Sequence, residues 1–137
     1  MMNLVLTANA ALLAVIALPV TAADLHIFTD RTNPVRSVPA GAIVTELDAG
    51  IRLEDELGAD LPADADQAAT AVQRRLQAGG PALQRRLADA YQGVAKAWSL
   101  GVTKVPAVVV DHRYVVYGEP DVAQALSRIA RYKREQP

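Results

Sequence analysis

Val105-Pro106-Ala107-Val108-Val109-Val110 is apolar at every position and shows no alternation. A short run of that kind describes a strand covered on both faces, the habit of a sheet flanked by helices. Proline can stand only at its start, where no ladder hydrogen bond is asked of it. Asp111-His112 then turns the chain, because aspartate suits a tight turn and histidine tolerates positive φ better than most residues. Arg113-Tyr114-Val115-Val116-Tyr117 returns as an antiparallel partner and Gly118 closes it. Pro120 and Asp121 open a last helix, with Val122, Ala125, Leu126 and Ile129 on its buried face.

Upstream of that stretch, two amphipathic helices are predicted. Asp64 caps the first, whose apolar stripe is Ala65, Ala68, Ala69, Val72 and Leu76, and Gly79 ends it. Pro81 stands at the first position of the second, which carries Leu83, Leu87, Ala90, Tyr91, Val94 and Trp98 at three- and four-residue steps up to Gly101. Residues 48–63 contain Gly50, Gly58 and Pro62, so only a brief helix is expected there. Ala42-Ile43-Val44-Thr45-Glu46-Leu47 reads as a second strand and Asp24-Leu25-His26-Ile27-Phe28-Thr29 as a first. Between them, Asp30 to Pro39 holds Asn33-Pro34 and Val38-Pro39 and reads as loop or a short irregular helix. The order is β, loop or helix, β, α, α, β, β, α. A long helical crossover forces the second and third strands to be parallel or separated. The expected class is α/β, a mixed four-stranded sheet flanked by helices.

The chain has 137 residues, 51% hydrophobic, 4% aromatic and 21% charged, with net charge −1 and no cysteine. That length suits one domain. Without cysteine there is no disulfide scaffold, thiolate metal site or thiol nucleophile. A charge near zero and scarce aromatics argue against bulk attraction to nucleic acid and against base-stacking platforms. Residues 1–23 carry no charged side chain and hold a mostly apolar run from Leu4 to Val20. Pro19 and the small residues Val20-Thr21-Ala22-Ala23 that follow resemble a signal-peptidase site, with cleavage after Ala22 or Ala23. An uncleaved anchor and a buried core helix are the alternatives. Residues 24–137 would then be the exported domain.

The net charge hides an asymmetry. From Glu46 to Asp66 eight acids face Arg52 alone, whereas from Arg74 to Arg134 eleven basic residues face four acids. Such poles either satisfy each other on the surface or offer docking patches for different partners. Catalytic constellations are not expected. Ser37, Ser99 and Ser127 lack a nucleophile-elbow pattern, and the run Glu54-Asp55-Glu56 reads as a solvated face. His26 and His112, the only imidazoles, show no metal-ligand spacing; His26 reads as a strand residue, His112 as a turn residue, and no metal or cofactor is expected.

The strand order with a proline opening the third strand resembles a thioredoxin fold. The resemblance implies a cis-proline at Pro106 facing the end of the first strand, but Thr29-Asp30-Arg31-Thr32-Asn33-Pro34 stands where that fold carries Cys-x-x-Cys. Longer blocks are similar to a small periplasmic family encoded among the transfer genes of integrating conjugative elements. These are Phe28-Thr29-Asp30 with Pro34, Ala90 to Val94, Ala97 to Val109, and Val115 to Val122; more distantly they resemble the TrbC-type proteins of conjugation systems. The resemblance implies a periplasmic, non-catalytic accessory or scaffold protein of a type IV secretion system that moves DNA in conjugation. Its partners would be other periplasmic transfer proteins, with no direct nucleic-acid contact and no small-molecule substrate. Thr103, Lys104, Val105 and Pro106 are the candidate partner-binding residues: Val105 would offer its backbone N–H and C=O to an extended peptide, and Lys104 a charge beside it. A redox-inert chaperone or foldase using the same groove is the rival expectation.

Overall fold

The computed structural model describes residues 24–136; the expected signal segment, residues 1–23, lies outside them. Strands β1 (Leu25–Thr29) and β2 (Ile43–Glu46) come first, then helices α1 (Ala49–Gly58) and α2 (Ala65–Ser99), the hairpin β3 (Ala107–Val110) and β4 (Tyr114–Tyr117), and helix α3 (Val122–Glu135). The sheet order is β2-β1-β3-β4. β1 runs parallel to β2 and antiparallel to β3, and β4 is antiparallel to β3. The second and third strands are therefore separated by the first, one of the two solutions their long helical crossover permits.

β1 and β3 are buried along their whole length because they are the inner strands and carry no charge. Period-two alternation sends their side chains to two cores. Leu25, Ile27, Val108 and Val110 meet Val122, Ala125 and Ile129 of α3. Phe28, Ala107 and Val109 meet Ala97 of α2 on the other face. Each fully buried aliphatic side chain contributes about 1.5–3 kcal/mol by leaving water. β2 is an edge strand, and Ile43 and Val44 are exposed on it.

Local signals explain the helix ends. The Asp64 carboxylate accepts from the Gln67 N–H at 2.9 Å, and Asp121 does the same for Gln124 at 3.3 Å. The two helices expected over residues 64–101 join end to end in α2, interrupted at Gly80, whose φ of 55° and ψ of −153° are not helical; Pro81 follows, where its missing N–H costs nothing. α1 is longer than the brief helix expected. Gly50 breaks nothing; it is buried inside α1 where the helix faces Ala90 and Tyr91 of α2, and a Cβ there would meet the Ala90 Cβ at 3.8 Å, an ordinary contact. Residues 30–42 form no helix. That loop is strapped to the start of α3, where the Arg36 N–H donates to the Pro120 carbonyl (2.9 Å) and the Val122 N–H to the Arg36 carbonyl (3.0 Å).

The expected stripe on α2 holds for Leu83, Leu87, Ala90 and Val94, which turn inward with Ala97, and fails for Leu76, Tyr91 and Trp98, which are exposed. Small residues on the inner face let the helix lie close to the sheet: a Cβ on Gly93 would fall 2.5 Å from Thr45 Cγ2. The bulkier aromatics, about 100° round the helix, are left to solvent. None of the helices described is long and apolar enough to cross a membrane.

Candidate functional site

Register places the Pro106 corner. Phe28 pairs with Ala107, so Pro106 lies against Thr29 at the end of β1. The Val105–Pro106 peptide bond is cis. Pro106 is buried, Val105 half-buried, and Thr103 and Lys104 are exposed. The Pro106 carbonyl accepts from the Gly118 N–H at 2.9 Å, which ties the corner to the end of β4. No hydrogen bond among the described residues engages the Val105 N–H or C=O.

A hollow of about 370 Å³ opens beside this corner, lined by Asp30, Ile51, Trp98, Thr103, Lys104 and Val105 among others. Trp98 is 81% exposed and Ile51 63% exposed. The Lys104 ammonium lies 5.6 Å from the centre of the Tyr117 ring, whose hydroxyl donates to the Gly101 carbonyl at 3.2 Å. All four predicted residues therefore fall on one corner, three of them on the hollow. Sequence reasoning missed Trp98 and Ile51. Ala97 and Trp98, about 100° apart on the helix, cannot share a face, but nothing in the sequence says which of the two turns inward.

The hydroxyl and carboxyl at the end of β1 are both engaged. The Thr29 hydroxyl is buried and donates to the Asn33 carbonyl. Asp30 Oδ1 accepts from the Thr32 and Asn33 N–H groups, the Thr32 hydroxyl and the Asn33 side-chain amide, at 2.8–2.9 Å. The Asn33 and Thr32 side chains, helped by their backbone N–H groups, hold the Asp30 carboxyl below its usual range. The arrangement presents an apolar shelf, a free backbone donor and acceptor, and one cation, with the Asp30 and Asp48 carboxylates also on the wall of the hollow. Chemically it suits a peptide segment in extended form.

One family model, described as a protein of unknown function (DUF1525), matches residues 22–135, which takes in the corner, the hollow and every strand and helix. The chain belongs to this family. No curated protein and no solved structure matches it.

At the other end of the same two inner strands the structure corrects an expectation. The two histidines, expected not to converge with a carboxylate, both meet Asp24. His26 Nε2 lies 2.9 Å from Asp24 Oδ1, and His112 Nε2 contacts Asp24 Oδ2. The register explains the meeting: Leu25 pairs with Val110, so the start of β1 lies under the β3–β4 turn. Asp111 and His112 both adopt φ of 53°, the left-handed turn conformation anticipated for them.

The charged poles are partly satisfied within the fold. Arg52 pairs with Glu46 and lies 3.5 Å from Asp48, which raises its pKa, chiefly through the Glu46 hydrogen bond. Arg75 donates to the Leu57 and Ala59 carbonyls at 2.8 and 2.6 Å. Glu54, Asp55 and Glu56 are all exposed, and Glu54 accepts from the Tyr91 hydroxyl, which pushes the tyrosine pKa up. The Ser99 and Ser127 hydroxyls are spent on carbonyls of their own helices.

Proposed function

We propose that this chain is a non-catalytic periplasmic accessory protein of a conjugative type IV secretion system, belonging to an integrating conjugative element. It is exported by a cleaved N-terminal signal, is built on a thioredoxin-like plan without the thiols, and acts by binding other transfer proteins. The observation that carries this reading is the free Val105 backbone beside a hollow floored by an exposed tryptophan. Strand order β2-β1-β3-β4 and the cis Val105–Pro106 bond agree with the thioredoxin-like plan. The sequence blocks from Phe28 to Val122 motivate the conjugative setting. Binding there would pair an extended partner segment with the Val105 N–H and C=O, seat an apolar side chain on Trp98 and Ile51, and set an acidic one against Lys104.

Trp98→Ala tests it in donor cells that carry the element. Transfer frequency should fall at least about tenfold while the amount of folded protein stays unchanged, since an exposed side chain contributes little to stability. Capture on the purified protein should retain one or a few transfer proteins in stoichiometric amount, and Trp98→Ala should release them. Unchanged transfer with unchanged capture would remove the corner as the contact site. Brief capture of many unfolded polypeptides would instead favour a redox-inert chaperone, a role the apolar Ile51–Trp98 shelf could also serve.

A further inference from the structure

We propose that Asp24, His26 and His112 form a binding site for one late first-row divalent metal ion such as Zn²⁺, at the end of the sheet opposite the Pro106 corner. The chain has two histidines and no cysteine. Any imidazole site must use these two, and the fold brings both to a single carboxylate. One ligand atom from each of the three residues lies within 4.8 Å of the others. Around Zn²⁺, metal–nitrogen and metal–oxygen distances are about 2.0–2.2 Å, so ligand atoms in a tetrahedron stand about 3.3–3.5 Å apart. His26 Nε2 and His112 Nε2 each already lie closer than that to Asp24, so the ion enters by parting these side chains; Asp24 and His112, which are exposed, have room to move, whereas His26 is only 7% exposed.

His26 is aimed by its surroundings. Its ring stacks on Phe28 with centroids 6.1 Å apart and planes 9° from parallel. Its Nδ1 is buried without a hydrogen-bond partner, so Nε2, toward Asp24, is the ring's one polar outlet. Coordination through Nε2 replaces its contact with Asp24 Oδ1 and leaves the ring proton on Nδ1, a buried donor without a partner. The His112 ring lies 5.5 Å from the His26 ring, tilted by 39°. Two imidazoles and a carboxylate match the ligand taste of zinc and copper rather than of magnesium or calcium. Three protein ligands with two of them exposed leave a coordination position for water.

One neighbour opposes the ion. The Lys96 ammonium sits 3.4 Å from His112 Nε2 and must swing away on binding. That gives the site a signature that chance binding to surface acids lacks, because removing Lys96 should tighten it.

The test uses the untagged chain, stripped with chelator and titrated with Zn²⁺ against a chromophoric competitor. One Zn²⁺ per chain is expected. His112→Asn and Asp24→Asn should each weaken binding at least about tenfold, given that even losing a group behind a ligand costs 10–100-fold. Asparagine at 112 tolerates positive φ, so this variant keeps the turn. Lys96→Met should bind more tightly than the unaltered chain. Co²⁺ should give the intense visible bands of a four-coordinate site, absent in His112→Asn. Zn²⁺ binding of equal strength in all four proteins, or none in the unaltered chain, overturns the proposal.

Discussion

The two ends of the β1–β3 pair are made by the same strands and differ in almost everything else. At the Pro106 end the exposed groups are apolar or carry single charges: Trp98, Ile51, Lys104 and a backbone amide left free. At the His112 end they are polar and already engaged with one another through Asp24. An apolar hollow with an unpaired backbone gains most from a partner that buries it. A knot of imidazoles and a carboxylate gains most from a cation. One sheet thus offers two kinds of recognition, and the inner strands insulate one from the other.

Phe28 is where that separation is weakest. It is fully buried, stacks on His26 toward one end and belongs to the core that reaches Val102 and Val105 toward the other. Phe28→Ala should cost about 3–5 kcal/mol, read by denaturant unfolding, and should impair partner capture and Zn²⁺ binding together. If either survives intact, that end does not depend on this core.

Ala97→Leu bears on one end more than the other. Ala97 is buried at 2% exposure in the same core and lines the hollow. A larger side chain there should cost about 1–3 kcal/mol by overpacking. It should distort the hollow and weaken partner capture more than Zn²⁺ binding, because Ala97 lines the hollow itself and reaches the histidine cluster only through Phe28 and the neighbouring Lys96. Trp98→Ala sharpens the same contrast. Unfolding free energy should move by less than about 0.5 kcal/mol, against a large loss of binding.

The two ends were also unequally legible in the sequence. Thr103, Lys104, Val105 and Pro106 are consecutive and lead into an apolar run that reads as a covered strand, so the corner's place in the fold follows from one short stretch, while its role as a binding surface came from the resemblance alone. The Asp111-His112 turn and the Asp64 cap are equally local and equally readable. The histidine cluster was not readable, because Asp24 and His112 become neighbours only when β1 pairs with β3 in a particular register. Trp98 was misjudged for a different reason. Ala90, Gly93 and Ala97 complete the inner face of α2 beside the sheet, so counting bulky apolar residues at helical spacing adds Tyr91 and Trp98, which lie off it. The length of α1 was underestimated by treating Gly50 as a breaker, when it sits in the first turn of the helix with its place against α2.

The smallest effect expected is at Asp30, on the rim of the hollow. Its carboxylate organises the turn that carries the chain out of β1, and the Asn33 and Thr32 side chains hold its pKa below the ordinary value of 3.8. A carboxyl with a depressed folded pKa stabilises the fold fully above its unfolded pKa and loses that contribution as pH falls through the folded one. Asp30→Asn removes the charge and should reduce stability slightly at neutral pH. Below the lowered pKa the two proteins should converge, since the carboxyl is then protonated in both folded and unfolded chains. Thermal unfolding from pH 7 to pH 2.5 measures this directly. A gap between the two proteins that persists unchanged into acid would mean that the Asp30 charge does not order the turn, and that the rim of the hollow is held instead by the Thr29 hydroxyl and the Arg36 strap.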